Sequence, residues 1–160
     1  MSTSMLSWGT VQETDFAAMA DLRAEALRAS LEQLGRFDPV RARERLRAAF
    51  VPDCMRHILW HGQRIGYLTL APQPSVPELR LHHLYIRPGY QGQGVGQWAL
   101  DWVKAQATAQ GRDVTLGALR DSAANRFYLR HGFQLVEEQE FDLEYRWSPR
   151  AAQPSEGALA

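Results

Sequence analysis

The chain has one cysteine, Cys54, in 160 residues, so no internal disulfide can form and a reducing compartment is expected. It also lacks net charge. Lys plus Arg and Asp plus Glu each number 18, which leaves no electrostatic footprint for nucleic acid or an anionic membrane surface. Charges interrupt every apolar stretch before the roughly 20 residues a bilayer span requires, so no transmembrane helix is expected. The opening Met1 to Trp8 has neither the basic region nor the apolar run of a secretory signal, and a cytoplasmic location is the expectation. No Gly-Lys pair occurs, which excludes a P-loop. His82 and His83 are adjacent and point oppositely on a strand, with no Cys or carboxylate cluster to join them, so no metal is expected. What is present is ordinary globular material, 45% hydrophobic and 22% charged, at a length suited to one core. Residues 1–147 are expected to form a single domain. Residues 148–160, small and polar with Pro149 and Pro154, are expected to be a disordered tail.

Hydrophobic periodicity predicts an α/β chain with a mixed sheet. A first strand covers Leu6 to Val11, and Thr14 or Asp15 can cap the helix that follows, Phe16 to about Leu34, with Gly35 placed to stop it. Asp38 caps a second helix from Pro39 to Phe50, whose Arg41, Arg43, Arg45 and Arg47 face solvent. Strands follow at Met55 to Trp60, Arg64 to Leu70 and Leu79 to Ile86, the first two joined by a tight His61-Gly62-Gln63 turn and the last two by a proline-rich loop, Ala71 to Pro77. A long helix runs from Gly92 to Gln110, then a strand from Val114 to Leu119, a short helix from Asp121 to His131, and two strands within Phe133 to Trp147.

Chemistry first shows at Arg87-Pro88-Gly89-Tyr90-Gln91-Gly92-Gln93-Gly94-Val95-Gly96, where a strand feeds a glycine-rich turn that opens an amphipathic helix. Such a turn bares main-chain N–H groups at the positive end of the helix dipole, and absent side chains let a diphosphate approach. It is not a Rossmann turn, because the position that needs a third glycine holds Gln97 and no acidic residue ends the next strand.

The run Gln91-x-x-Gly94-x-Gly96 resembles the Q/R-x-x-G-x-G/A signature of the GNAT superfamily of acyl-CoA-dependent N-acyltransferases. Downstream, Asp121 to Phe133, with Ala124, Tyr128, Gly132 and Phe133, is similar to that superfamily's N-x-x-A-x-x-x-Y-x-x-x-G-F helix. The predicted element order also matches, from Leu6 to Trp147. The resemblance implies a mixed, mostly antiparallel central sheet flanked by about four helices, and transfer of an acetyl group from acetyl-CoA to a primary amine of a small molecule or peptide. A non-catalytic acyl-CoA sensor of the same fold is the alternative.

Carried over residue by residue, the resemblance gives the main chain of Leu84, Tyr85 and Ile86 to the pantetheine and acyl carbonyl. It gives the N–H groups of Gln91, Gly92, Gln93, Gly94, Val95, Gly96 and Gln97 to the diphosphate. The side chains of Leu84 and Ile86 can pack in the core at the same time. Tyr128 falls where the family places its general acid, and a tyrosine of ordinary pKa near 10 stays protonated at neutral pH; the competing reading is a tyrosine buried for its ring. Strand alternation puts Arg80, His82, Leu84 and Ile86 on one face and Leu79, Leu81, His83 and Tyr85 on the other. His82 is in register to take the amine's proton, directly or through water, or else is a hydrogen-bonded sheet histidine. Where arylalkylamine-acetylating members have a further histidine, this chain has Arg80. Asp121 stands where many members have asparagine, so either it or Asn125, also a cofactor-side candidate, makes the local hydrogen bonds. Leu116 stands where peptide-terminus acetylating members place a glutamate. Arg126 and Arg130 are phosphate candidates that on a short helix usually just face water. Glu25, Glu32 and Asp38 could meet a cationic acceptor or simply be solvated. The exposed sheet edges common in this superfamily make a homodimer an expectation.

Overall fold

The computed structural model describes residues 5–33 and 38–152. The elements, in chain order, are β1 (Leu6–Thr10), α1 (Phe16–Gln33), α2 (Pro39–Ala48), β2 (Met55–Trp60), β3 (Gln63–Pro72), β4 (Leu79–Ile86), α3 (Val95–Gln110), β5 (Val114–Leu119), α4 (Ala124–Arg130), β6 (Gln134–Glu138), β7 (Asp142–Trp147) and α5 (Pro149–Ala152). The strand order is β1-β2-β3-β4-β5-β7-β6, mostly antiparallel, as the resemblance implied. The chain divides into two compact units, Met1–Leu70 with His82–Ala99, and Ala71–Leu81 with Leu100–Ala160.

In the first unit β1, β2 and β3 form an antiparallel ladder, with Trp8 opposite Ile58 and His57 opposite Tyr67. Val11, Met19, Ala20, Leu46, Met55 and Tyr67 form a buried core, flanked by Phe16, Phe50 and Tyr85. Met19, Ala20 and Arg23 are buried along α1, the spacing that lines one helical face. Asp38 caps α2 as expected, its Oδ1 accepting from the N–H groups of Val40 and Arg41 at 3.1 and 3.2 Å. Asp15 works differently from a forward cap. A short 3₁₀ turn, Glu13–Asp15, precedes α1, and the Asp15 carboxylate reaches back to the Gln12 N–H at 2.9 Å. The predicted helix stop at Leu34 and Gly35 lies outside the described residues.

In the second unit β5 pairs antiparallel with β7, and β7 with β6. β4 joins β5 in parallel through Leu79 opposite Val114 and Arg80 opposite Thr115. Leu79, Leu81, Val114, Leu116, Tyr145 and Trp147 are buried on these strands.

Several boundaries depart from expectation, three of them for a clear backbone reason. β3 continues to Pro72, because a proline at a strand's last residue removes no needed ladder donor. α3 begins at Val95 rather than Gly92, since Gly92 and Gly94 hold φ of 76° and 85°, a left-handed conformation no helix admits. α4 begins at Ala124 rather than Asp121, which has φ 65°. After Ser148, Pro149–Ala152 make one helical turn instead of the expected disorder, and residues 153–160 lie outside the described residues.

Candidate active site

The glycine turn belongs to the first unit and is exposed from Gln91 to Gly94. The Tyr90 and Gln91 N–H groups close a 3₁₀ turn onto Arg87 and Pro88, and the first helical bond of α3 runs from the Trp98 N–H to the Gly94 carbonyl at 3.0 Å. Between them, no main-chain carbonyl among the described residues accepts the N–H groups of residues 92 to 97. Six successive donors therefore stay unsatisfied at the positive end of α3. The turn is held open by its own side chains. Gln91 Nε2 donates to the Ile86 carbonyl at 2.9 Å, and Gln93 Nε2 to the Gly89 carbonyl at 3.2 Å. Gln91 thereby ties the turn to the end of β4.

Along β4, burial alternates as predicted through its first five residues: Leu79, Leu81 and His83 are buried, Arg80 is half-buried and His82 is exposed. Leu84, Tyr85 and Ile86 are half-buried. The two histidines thus have different environments. His83 Nδ1 lies 2.8 Å from Thr69 Oγ1, and its ring meets Tyr67 edge-on, 5.8 Å between centroids. Burial, reinforced by the Arg23 charge, holds the His83 pKa down to about 3, so it is neutral and too weak a base to take an ammonium proton.

In the second unit Tyr128 is buried on α4 and packs against Phe133, Phe127 and Tyr145. Asn125, not Asp121, makes the local hydrogen bonds. Its Nδ2 donates to the carbonyls of Leu119 and Ser122 at 2.8 and 3.0 Å, and its Oδ1 accepts from the Tyr145 hydroxyl at 2.8 Å. That spends the side chain on fixing the β5–α4 turn below Tyr128. Leu116 is buried, and Arg126 and Arg130 are exposed. Cys54 is half-buried, and burial pushes its thiol pKa up. Of the acidic acceptor candidates, Glu25 sits 3.8 Å from Arg87, Asp38 is engaged as a cap, and the Glu32 side chain lies outside the described residues.

Sequence reasoning missed a buried polar group in the first unit. Arg23 is only 9% exposed and Tyr67 is fully buried, and among the described residues neither Arg23 Nε nor the Tyr67 hydroxyl has a hydrogen-bond partner. Arg23 Nη1 donates to the Ala42 carbonyl at 2.9 Å, and its guanidinium stands 5.7 Å from the Tyr85 ring centre. A usable signal was there, because Arg23 occupies the position seven residues after Phe16, on the stripe that Met19 and Ala20 bury.

Comparison with known proteins agrees with this layout. A family model described as an acetyltransferase (GNAT) domain matches residues 54–135, slightly more than half of the chain. The chain is similar to the crystal structure of PaiA N-acetyltransferase from Thermoplasma acidophilum in complex with coenzyme A, with TM-score 0.72 and 14% identity over 92% of this chain and 99% of that one. An acetyltransferase from Thermus thermophilus gives TM-score 0.74 and 19% identity over 92% and 99%. Ard1 from Thermoplasma volcanium gives 0.66 and 16% over 90% and 97%. No curated protein matches the chain in sequence. A strand, glycine turn and helix with bare amides, inside the segment that the family model spans, place this chain in the GNAT family of acetyltransferases.

Proposed function

We propose that the protein is an N-acetyltransferase that moves an acetyl group from acetyl-CoA directly to a primary amine, with no covalent enzyme intermediate. The run of unsatisfied N–H groups from residues 92 to 97 carries this reading. An array of main-chain donors at a helix start, with no side chain on Gly92 or Gly94 to block approach, suits a diphosphate. Gln91 contributes by holding the turn open rather than by touching the ligand with its amide, which is already spent on Ile86.

Bound acetyl-CoA would supply an acyl group activated as a thioester. Leu84, Tyr85 and Ile86 would hold the pantetheine arm with their main chain. A main-chain donor aimed at the thioester oxygen is worth about 3 kcal/mol as the amine attacks. The amine nitrogen bonds to the acyl carbon as the carbon–sulfur bond breaks, so one proton must leave nitrogen and one must reach sulfur. His82 is the proposed acceptor of the first, directly or through water, because it is exposed where His83 is walled in. Tyr128 Oη is the proposed donor of the second, and Asn125 positions the turn that carries α4. The raised Cys54 pKa argues against a cysteine acyl carrier.

The test is to supply acetyl-CoA with a panel of amines and follow free thiol release. Tyr128→Phe is expected to lower kcat roughly 10²-fold with coenzyme A affinity retained, and an unchanged rate removes Tyr128 from the mechanism. Tight acetyl-CoA binding with no thiol release against any amine would make the chain a sensor instead.

A further inference from the structure

The buried Arg23 has no ion-pair partner among the described residues and keeps one N–H unpaired. The Tyr67 hydroxyl likewise has no hydrogen-bond partner among them. The two groups flank one ring: the Arg23 guanidinium lies over Tyr85, and Tyr67 meets Tyr85 at 5.4 Å between centroids. Leaving a cation without a counter-charge in an enclosed site is among the most costly arrangements a fold can hold. Buried polar atoms of this kind call for an absent ligand or solvent.

We propose that Arg23 and Tyr67 form a subsite for a carboxylate carried by the acceptor amine, so that the preferred acceptors are amino-acid-like molecules rather than polyamines or arylalkylamines. This rests on the transferase reading above. One guanidinium and one hydroxyl present two donors and a single positive charge, which matches the two oxygens and one charge of a carboxylate. His83 adds no charge, because burial and Arg23 keep it neutral, so the site suits a monoanion better than a phosphate dianion. Tyr85 also belongs to the β4 segment proposed for the pantetheine.

The test uses the full chain and does not depend on turnover. N-acetylglycine, N-acetylphenylalanine and N-acetylglutamate, each against its C-terminal amide, are titrated by calorimetry into wild type, Arg23→Met and Tyr67→Phe. Wild type is expected to bind the acids roughly 10- to 100-fold more tightly than the amides. R23M erases the preference and Y67F reduces it. Ligand-free R23M melts no lower than wild type, because an uncompensated charge has gone. Equal affinity for acids and amides, no binding of either, or an R23M protein that melts far lower yet keeps the preference overturns the subsite. If R23M does not fold, Y67F decides alone, and an undiminished preference there counts against the proposal. The amine panel separates the two readings. Thiol release with polyamines but not with amino acids overturns the subsite and leaves acetyl transfer standing, whereas acid preference without thiol release from any amine retires acetyl transfer and leaves the subsite.

Discussion

Arg80 and Glu144 meet as a two-pronged pair, Nη1 to Oε2 and Nη2 to Oε1 both at 2.9 Å, with both side chains less than a quarter exposed. Gly117 leaves the space for it, since a Cβ there would come 3.2 Å from Arg80 Nη2. Arg80 occupies the position where the resemblance raised a second histidine as an expectation, and its charge is spent on structure. Glu144→Ala is expected to cost about 2 kcal/mol by denaturant unfolding, because it strands a half-buried guanidinium. A loss below about 0.5 kcal/mol would show the pair to be no better than a surface salt bridge.

Gly94 needs its backbone rather than its small size. Its φ is 85°, and nothing lies within 4 Å of where a Cβ would be. Gly94→Ala therefore strains the turn by about 1–2 kcal/mol without a clash. Under the proposed function this should weaken coenzyme A binding roughly 10-fold in calorimetry, with the melting temperature lowered by only a few degrees. Unchanged affinity would detach the turn from the diphosphate.

Asp15 gathers three donors, His57 Nε2 at 3.0 Å, the Gln12 N–H at 2.9 Å and Arg64 Nη1 at 3.1 Å, while its side chain is 12% exposed. The His57 hydrogen bond first, then the Gln12 N–H and the Arg64 charge, hold its carboxyl down to about 2. A carboxylate with a depressed folded pKa adds stability above its unfolded value near 4, and that stability fades as pH falls from about 4 to 2. Asp15→Asn should remove about 2 kcal/mol at pH 7 and flatten the acid limb of the stability curve. An unaltered limb would show that the three contacts do not bias ionisation.

His83 predicts a second window at milder pH. Its folded pKa near 3 lies below the ordinary 6.5, so the unfolded chain binds a proton that the folded chain refuses. Stability is complete above about pH 6.5 and falls by about 1.4 kcal/mol per pH unit below it until pH nears 3. His83→Gln should abolish that slope between pH 6 and 4. A slope that survives the substitution assigns it to other groups.

Element order, the strand–glycine–helix motif and the Asp38 cap are all legible in the sequence, because each depends on residues within a turn or two of one another. Side-chain period marks a helix or strand, and a glycine cluster marks a backbone that other residues cannot follow. Helix starts were misplaced by three residues at α3 and at α4, where a positive φ at Gly92, Gly94 or Asp121 delays the first helical turn. Tertiary structure alone decided which polar residues are enclosed and which partners they meet. His83 was chosen over His82 for burial by Thr69, fourteen residues away. Asn125 was chosen over Asp121 by Tyr145, twenty residues away. Arg23 turned from one more helix arginine into an enclosed cation only when α2 and β4 closed over it. Solvation and charge are properties of the surroundings, and those surroundings come from parts of the chain too far apart for local pattern to report.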